Sequence, residues 1–226
     1  SGRFQAGREA RLAELGPQRY GMPPHLFQSA REWIEYLGDY RCFVLPEPGG
    51  FRRVNRPFNE VLTVEGQRRT STEQLFQYFL WHEHYVWNSA RARVAHSTIE
   101  IRPACQQPPG ESMAANALIL GWVEALDEVR AFLSSALGPD PVPAMVRYRR
   151  AAVRDGLGAT EPSSGMLAAL VEIGRAGLRR RGRGEERLLA PIDRRLASRQ
   201  SPGQRAQQIL RELGMEALLE HICFAR

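Results

Sequence analysis

Every strand-like pattern in this 226-residue chain falls before Pro103, and after Gly138-Pro139-Asp140-Pro141 only helical periodicity remains. That division predicts an α+β fold: a small antiparallel sheet packed on helices, followed by a C-terminal helical bundle. Tyr40-Arg41-Cys42-Phe43-Val44-Leu45 reads as a strand closed by Pro46-Glu47-Pro48-Gly49-Gly50, and Phe51 to Val54 as its returning arm. The clearest strand is His96 to Arg102, where β-branched residues alternate with polar ones until Pro103 stops them.

Helices fill the rest. Arg3 to Leu15 is predicted as a short amphipathic helix stopped by Gly16-Pro17. Ser29 is read as the N-cap of a helix to Leu37 whose buried stripe is Trp33, Ile34 and Leu37. Ser71-Thr72-Glu73-Gln74 has the form of a capping box and opens a helix to about Glu83. Glu111 to Ser134 is expected to be one long helix, with Leu118, Leu120, Trp122, Val123 and Leu126 in the core. Further helices are expected over Ala144 to Arg154, Ser164 to Arg181, Arg187 to Ser198, from Ser201 with Pro202 in its first turn, and over Met215 to Phe224. Met166, Leu167, Leu170, Val171 and Ile173 read as core.

Composition narrows the functional classes. With 43% hydrophobic and 25% charged residues the chain can bury a core. Its longest nearly uncharged apolar run, Ser112 to Val123, is far shorter than the roughly 20 residues a membrane helix needs. No signal peptide opens the sequence. The start at Ser1-Gly2, without methionine, suggests a chain that begins inside a longer protein. Cys42, Cys105 and Cys223 are odd in number and contain no CxxC, which argues against a disulfide scaffold and a thiolate zinc site and favours a reducing, cytoplasmic setting. All 31 basic residues are arginine, and the net charge is +6. A GC-rich codon bias accounts for that usage, so the basic excess alone does not argue for nucleic acid. The absence of lysine excludes a P-loop lysine, a Schiff-base lysine and a kinase-type lysine in this chain.

In the strand Thr98-Ile99-Glu100-Ile101-Arg102, side chains alternate faces. Ile99 and Ile101 are expected to enter a core, leaving Thr98, Glu100 and Arg102 in line at intervals of roughly 7 Å. A carboxylate offers a hard oxygen to Mg²⁺, and a guanidinium beside it offers a planar fork to a phosphoryl oxygen. Arg91-Ala92-Arg93 repeats the spacing with two more cations. The same pattern also suits a weak surface ion pair. His82 and His84, two residues apart on a helix, do not face each other and read equally as packed or surface residues.

His82-Glu83-His84-Tyr85-Val86-Trp87-Asn88-Ser89-Ala90-Arg91-Ala92-Arg93 followed by Ser97 to Arg102 resembles the second half of the family 2 glutamate–cysteine ligases, the plant and proteobacterial type. Gln106-Gln107-Pro108 matches that family's turn after the strand. Ala151 to Leu157, Gly177 to Gly182 with Glu185-Glu186, Ser198 to Pro202, and Arg8 to Pro23 resemble further segments in the family's order. The sequence departs from the family at Asn88, where a proline is usual, and at Pro103-Ala104-Cys105, where the family has a carboxylate.

The resemblance implies a half site like that of glutamine synthetase and an ATP-dependent ligase. Such an enzyme phosphorylates the γ-carboxylate of glutamate and lets the amine of cysteine displace phosphate. By that likeness Glu100 is a Mg²⁺ ligand, Arg102 the catalytic residue that stabilises the transferring phosphoryl group, and Arg91, Arg93 and His82 bind substrate or ATP. Residues 1–137 form the sheet-bearing catalytic half-domain and 138–226 its helical continuation. The family's N-terminal half, with the other metal-binding carboxylates, is not in this chain, so a complementary N-terminal half or second chain is expected and the isolated chain is expected to be inactive. Glutamate with cysteine or another amine are the implied substrates, in thiol biosynthesis. A non-catalytic or regulatory relative of the fold is the competing reading. Nucleic-acid binding through Arg179-Arg180-Arg181-Gly182-Arg183 competes poorly, because arginines there complement a helix C-terminus and Glu185 and Glu186 partly neutralise them. Cys105 reads as a small hydrophobe rather than a nucleophile.

Overall fold

The computed structural model describes residues 5–15, 19–104 and 107–223 and is α+β. The chain divides into two compact units, Arg11–Pro103 and Ser1–Ala10 with Ala104–Arg226. All the described strands lie in the first. Cys105 and Gln106 lie outside the described residues, as do Arg3, Phe4 and Phe224.

In the strand-bearing unit, β1 (Tyr20–Gly21) comes before helix α2 (Ala30–Gly38), α1 (Gly7–Leu15) having preceded it in the chain. Ser29 caps α2, its Oγ accepting from the Glu32 N–H at 3.1 Å. Trp33 and Leu37, four residues apart, bury one face. Ile34 is exposed, contrary to the predicted stripe, because one residue along a helix turns about 100° away from that face.

Strands β2 (Arg41–Glu47) and β3 (Gly50–Pro57) form an antiparallel hairpin turned at Gly49, whose φ of +84° suits glycine. Cys42 pairs with Arg56 but Val44 with Arg53, so β3 carries one extra residue, a β-bulge. Helix α3 (Phe58–Gln67) follows without a break. The sequence reading missed it, although Phe58, Val61 and Glu65 have helical spacing and are all buried. Helix α4 (Thr72–His84) starts at Ser71, whose Oγ accepts from the Gln74 N–H at 3.2 Å. Trp33, Leu37, Cys42, Leu45, Phe58, Val61, Tyr78 and Phe79 pack into one core between these elements. Strand β4 (Trp87–Asn88) pairs in parallel with β1, and Tyr20 stacks on Trp87.

The last ribbon is β5 (Ala90–Arg93) with β6 (Thr98–Ile101), antiparallel. Ile99 and Ile101 do not enter a core: they are 72% and 39% exposed. The alternation is real, but only Ala92 on that face packs against the core; among the described residues nothing covers Ile99 and Ile101, whereas Glu100 on the other face is partly enclosed.

The second unit is helical: α5 (Ala114–Glu124), α6 (Leu126–Leu137), α7 (Val142–Asp155), α8 (Met166–Arg181), α9 (Ala190–Ser198) and α10 (Pro202–Ile222). The expected helix over 111–134 is two, broken at Ala125, whose φ and ψ of −120° and 35° leave the helical region. Val123 and Leu126 are exposed, not core. The face of α5 that is buried carries Ala114, Ala117 and Gly121, which lets α8 come close. Ser201 and Gln204 form the capping box of α10, and Gly214, at φ 89° and ψ −174°, kinks it where the sequence suggested a new helix from Met215.

At the α5–α8 crossing a methyl group on Gly121 would stand 2.2 Å from the Gly174 carbonyl oxygen, and one on Gly177 would stand 2.3 Å from the Gly121 oxygen. Both obstacles are backbone, so the helices would have to separate. Gly121→Ala is expected to cost about 2 kcal/mol by overpacking, despite the better helix propensity of alanine. A shift of the urea midpoint measures it, and Gly7→Ala in α1, where a methyl group meets open space, is the control expected to cost no stability. Among the described residues no helix is long and apolar enough to cross a membrane.

Candidate functional site

In β5 and β6, Arg91 stands opposite Glu100 and Arg93 opposite Thr98. Cross-strand partners project to the same side of a ribbon, and so do residues two apart. The four charged residues Arg91, Arg93, Glu100 and Arg102 therefore meet. Arg91 donates from Nε and Nη2 to Glu100 Oε2 at 2.9 and 2.8 Å. Arg93 Nη1 donates to the same oxygen at 3.1 Å, and Arg102 Nη1 to Oε1 at 2.5 Å.

Arg91 is 3% exposed. Its remaining nitrogen, Nη1, donates to the carbonyls of Glu83 at 3.1 Å, His84 at 3.0 Å and Val86. A helix leaves its last carbonyls without partners in the helix itself. This guanidinium closes the end of α4 and is favourably placed against the negative end of its dipole. Arg91 therefore fixes Glu100 to α4 and has little left to offer a ligand. Arg93 and Arg102 are partly exposed. Three guanidiniums against one carboxylate give the cluster a net charge of +2.

His82 is not brought into this group. It stacks on Phe58 with ring centroids 4.3 Å apart, and its Nε2 bonds to the Leu37 carbonyl at 2.7 Å, inside the core. Its neighbour Glu83 is also buried and accepts the Val94 N–H at 3.2 Å. Burial raises the Glu83 carboxyl, opposed by that bond and by the charges of Arg93 and Arg91. His84 is exposed and lies edge-on to Tyr85. Burial, then the charges of Arg93 and Arg91, lower its imidazole, so it shares the field of the cluster. The sequence reading gave His84 no role. Its i, i+2 offset from His82, which placed the two on different faces, was the available signal.

A second enclosed arginine was not foreseen. Arg19 donates to the carbonyls of Tyr85, at 3.0 Å, and Arg41, and its guanidinium lies 4.0 Å from the centre of the Phe43 ring. It ties the end of α4 to β2 as Arg91 ties it to β6.

The donor set does not by itself fit a magnesium ion. Mg²⁺ requires near-octahedral oxygen coordination. Both oxygens of Glu100 already accept from arginines, and among the described residues no group of three or more His, Cys, Asp or Glu side chains gathers. An anion fits better, since Arg93 and Arg102 are cationic forks held in place.

The cluster and the core histidine give acid unfolding two stages. Burial first, with a smaller push from the charge of Arg19, lowers His82 to about 4, against the bond to Leu37. A depressed histidine keeps its stabilising effect above its unfolded value near 6.5 and loses it as pH falls toward 4. Burial raises Glu100, but the hydrogen bonds and charges of Arg91, Arg93 and Arg102 outweigh it and hold the carboxyl at about 2. Its contribution is present above 4.5 and is lost as pH falls toward 2. Each stage is expected to cost on the order of 2 kcal/mol, the glutamate figure being discounted for solvent screening. Thermal midpoints at pH 7, 5 and 3 measure this. Glu100→Gln is expected to reduce the loss between pH 5 and 3, leaving the part due to His82, and to leave the loss between pH 7 and 5 unchanged.

Compared with known proteins, the chain matches no protein-family model and no curated sequence.

Proposed function

We propose that this chain is the anion-binding half of an ATP-dependent carboxylate–amine ligase acting on glutamate and an amine, cysteine being the expected one. The observation that carries the reading is the convergence of Arg91, Arg93 and Arg102 on Glu100 on one face of a ribbon, two of the three cations partly open to solvent. The order of the sequence segments that resemble family 2 glutamate–cysteine ligases supports it independently.

In this reading a γ-carboxylate oxygen of glutamate attacks the terminal phosphorus of ATP and ADP leaves. The amine then attacks the resulting acyl phosphate, phosphate leaves, the amine loses its proton, and an amide remains. Negative charge grows on phosphoryl and carbonyl oxygens in both steps. Arg102 and Arg93 are the groups of this chain placed to stabilise it, and Arg91 positions Glu100 between them. His82 acts through the core, not on the substrate. Magnesium coordination requires carboxylates from a complementary half, in the same polypeptide or in a second chain, and such a half would also cover Ile99 and Ile101.

One observation favours the non-catalytic alternative: Glu100 has both oxygens engaged, as a purely structural knot requires. The separating experiment measures ADP release from the chain together with its complementary half, with ATP and a panel of amines, with and without glutamate. Glutamate-dependent release supports the ligase. Release independent of glutamate, or none with any amine, sinks it.

A further inference from the structure

A second cationic site lies on the β3–α3 side of the strand-bearing unit and shares no residue with the Glu100 cluster. It is a cleft of about 280 Å³ whose walls include Arg52, Arg53, Asn55, Arg56, Glu65 and Arg68. Glu65 is the reason these arginines are more than a solvated surface. It is 5% exposed, on the buried face of α3, and a carboxylate so enclosed requires partners. It has them in Arg52 Nη2, at 2.9 Å, and Arg68 Nη1, at 3.2 Å, both on Oε1, with the Thr70 hydroxyl at 3.5 Å from Oε2. Two guanidiniums are thereby held at the cleft.

Arg53 and Arg56 are exposed, and their side chains have no hydrogen-bond or ion-pair partner among the described residues. The bulge sets them three apart on β3, with Asn55 between them at a φ of +139°, a backbone region that non-glycine residues rarely occupy. The extra residue disturbs the two-residue alternation, so consecutive positions 52–56 all line one cleft. Four arginines face the buried Glu65 there, and Arg52 also donates from Nε to Glu47.

We infer that this cleft binds a small polyphosphate anion, recognised through its phosphoryl oxygens by Arg53 and Arg56 and supported by Arg52 and Arg68, which Glu65 holds in place. Guanidinium forks match phosphoryl oxygens two at a time, which favours a chain of phosphates over a single monovalent anion. None of the lining residues is aromatic, so the cleft has no ring on which a base could stack. The ligand is therefore read by its phosphates: free inorganic pyrophosphate and the diphosphate of a nucleotide are the two sources. The inference does not depend on the ligase reading.

The test is calorimetric titration of the full chain with inorganic pyrophosphate, ADP and adenosine, at low and raised salt. Pyrophosphate and ADP are expected to bind comparably, adenosine not at all, and both affinities to fall with salt. The double variant R53S/R56S, at exposed positions, is expected to weaken pyrophosphate binding at least about tenfold. The pair R179S/R183S, which removes the same charge from exposed positions elsewhere, is expected to leave it unchanged. Glu65→Gln, checked for folding by its thermal midpoint, is expected to weaken binding although it adds net positive charge, which attraction by charge alone would not do. Equal loss in the two double variants overturns the site. So does ADP binding far more tightly than pyrophosphate, or a single-stranded oligonucleotide outcompeting both. A loss confined to Arg102→Ala assigns the phosphates to the Glu100 cluster and overturns the cleft, whereas absence of ligase activity leaves this inference standing.

Discussion

Replacing Arg91 by methionine is expected to destabilise the strand-bearing unit by about 3–5 kcal/mol, the cost of removing one partner from a buried, hydrogen-bonded ion pair. The side chain has 1% of its surface exposed and joins three things at once: the Glu100 carboxylate by two nitrogens, the open end of α4 by the third, and thereby β5 and β6 to that helix. Methionine restores much of the volume, so the loss is polar. Three carbonyls lose a charged donor, and Glu100 retains only Arg93 and Arg102. Arg102→Met supplies the contrast. Its ion pair with the same carboxylate is 24% exposed on the arginine side, and such pairs are worth about 1 kcal/mol or less. Urea unfolding followed by tryptophan fluorescence reports on this unit, which holds Trp33, Trp81 and Trp87. Equal and small effects for the two variants would show that Arg91 is no anchor.

That contrast marks how far the sequence could be read. The pairing of β5 with β6, which brings the four charged residues together, was not read from the sequence; alternation put Glu100 with Arg102 and, separately, Arg91 with Arg93 on one face, because strand geometry depends only on the local chain. Ser29, Ser71 and Ser201 announced their helices for the same reason: a cap is a bond between neighbours. Which face of the β5–β6 ribbon is covered is not local information, and Ile99 and Ile101 were assigned to a core that the described residues do not supply. The difference between Arg91 and Arg102 was equally hidden. Both are arginines on the same face, and only the approach of α4 makes one an internal strut and leaves the other partly free. His82 followed the same rule, since its fate is set by Phe58 and Leu37, 24 and 45 residues away in the chain. Helix α3 was missed because its buried stripe ends in a glutamate, and that glutamate is tolerable inside only because Arg52 and Arg68 reach it. The Ala125 break had no proline or glycine to announce it.

If the cluster is the catalytic strand of a ligase, Arg102→Ala is expected to lower turnover by about 10²–10³-fold, the usual cost of deleting one donor aimed at charge that develops in a transition state. The effect belongs in kcat more than in KM, because the interaction strengthens as the phosphoryl group transfers. Stability should hardly change, by the same argument that separates this residue from Arg91. Lysine at 102 restores the charge without the planar fork, so Arg102→Lys should recover part of the loss only. The assay is glutamate-dependent ADP release in the presence of the complementary half, read beside a thermal midpoint for each variant. A fall in rate that tracks a fall in midpoint would make Arg102 another structural strut. Full activity with alanine at 102 would place the chemistry elsewhere and leave the four charges as a fastening between β6 and α4. The two arginines are thus expected to divide their labour, Arg91 holding the carboxylate in place and Arg102, oriented by that carboxylate, acting on the transferring phosphoryl group.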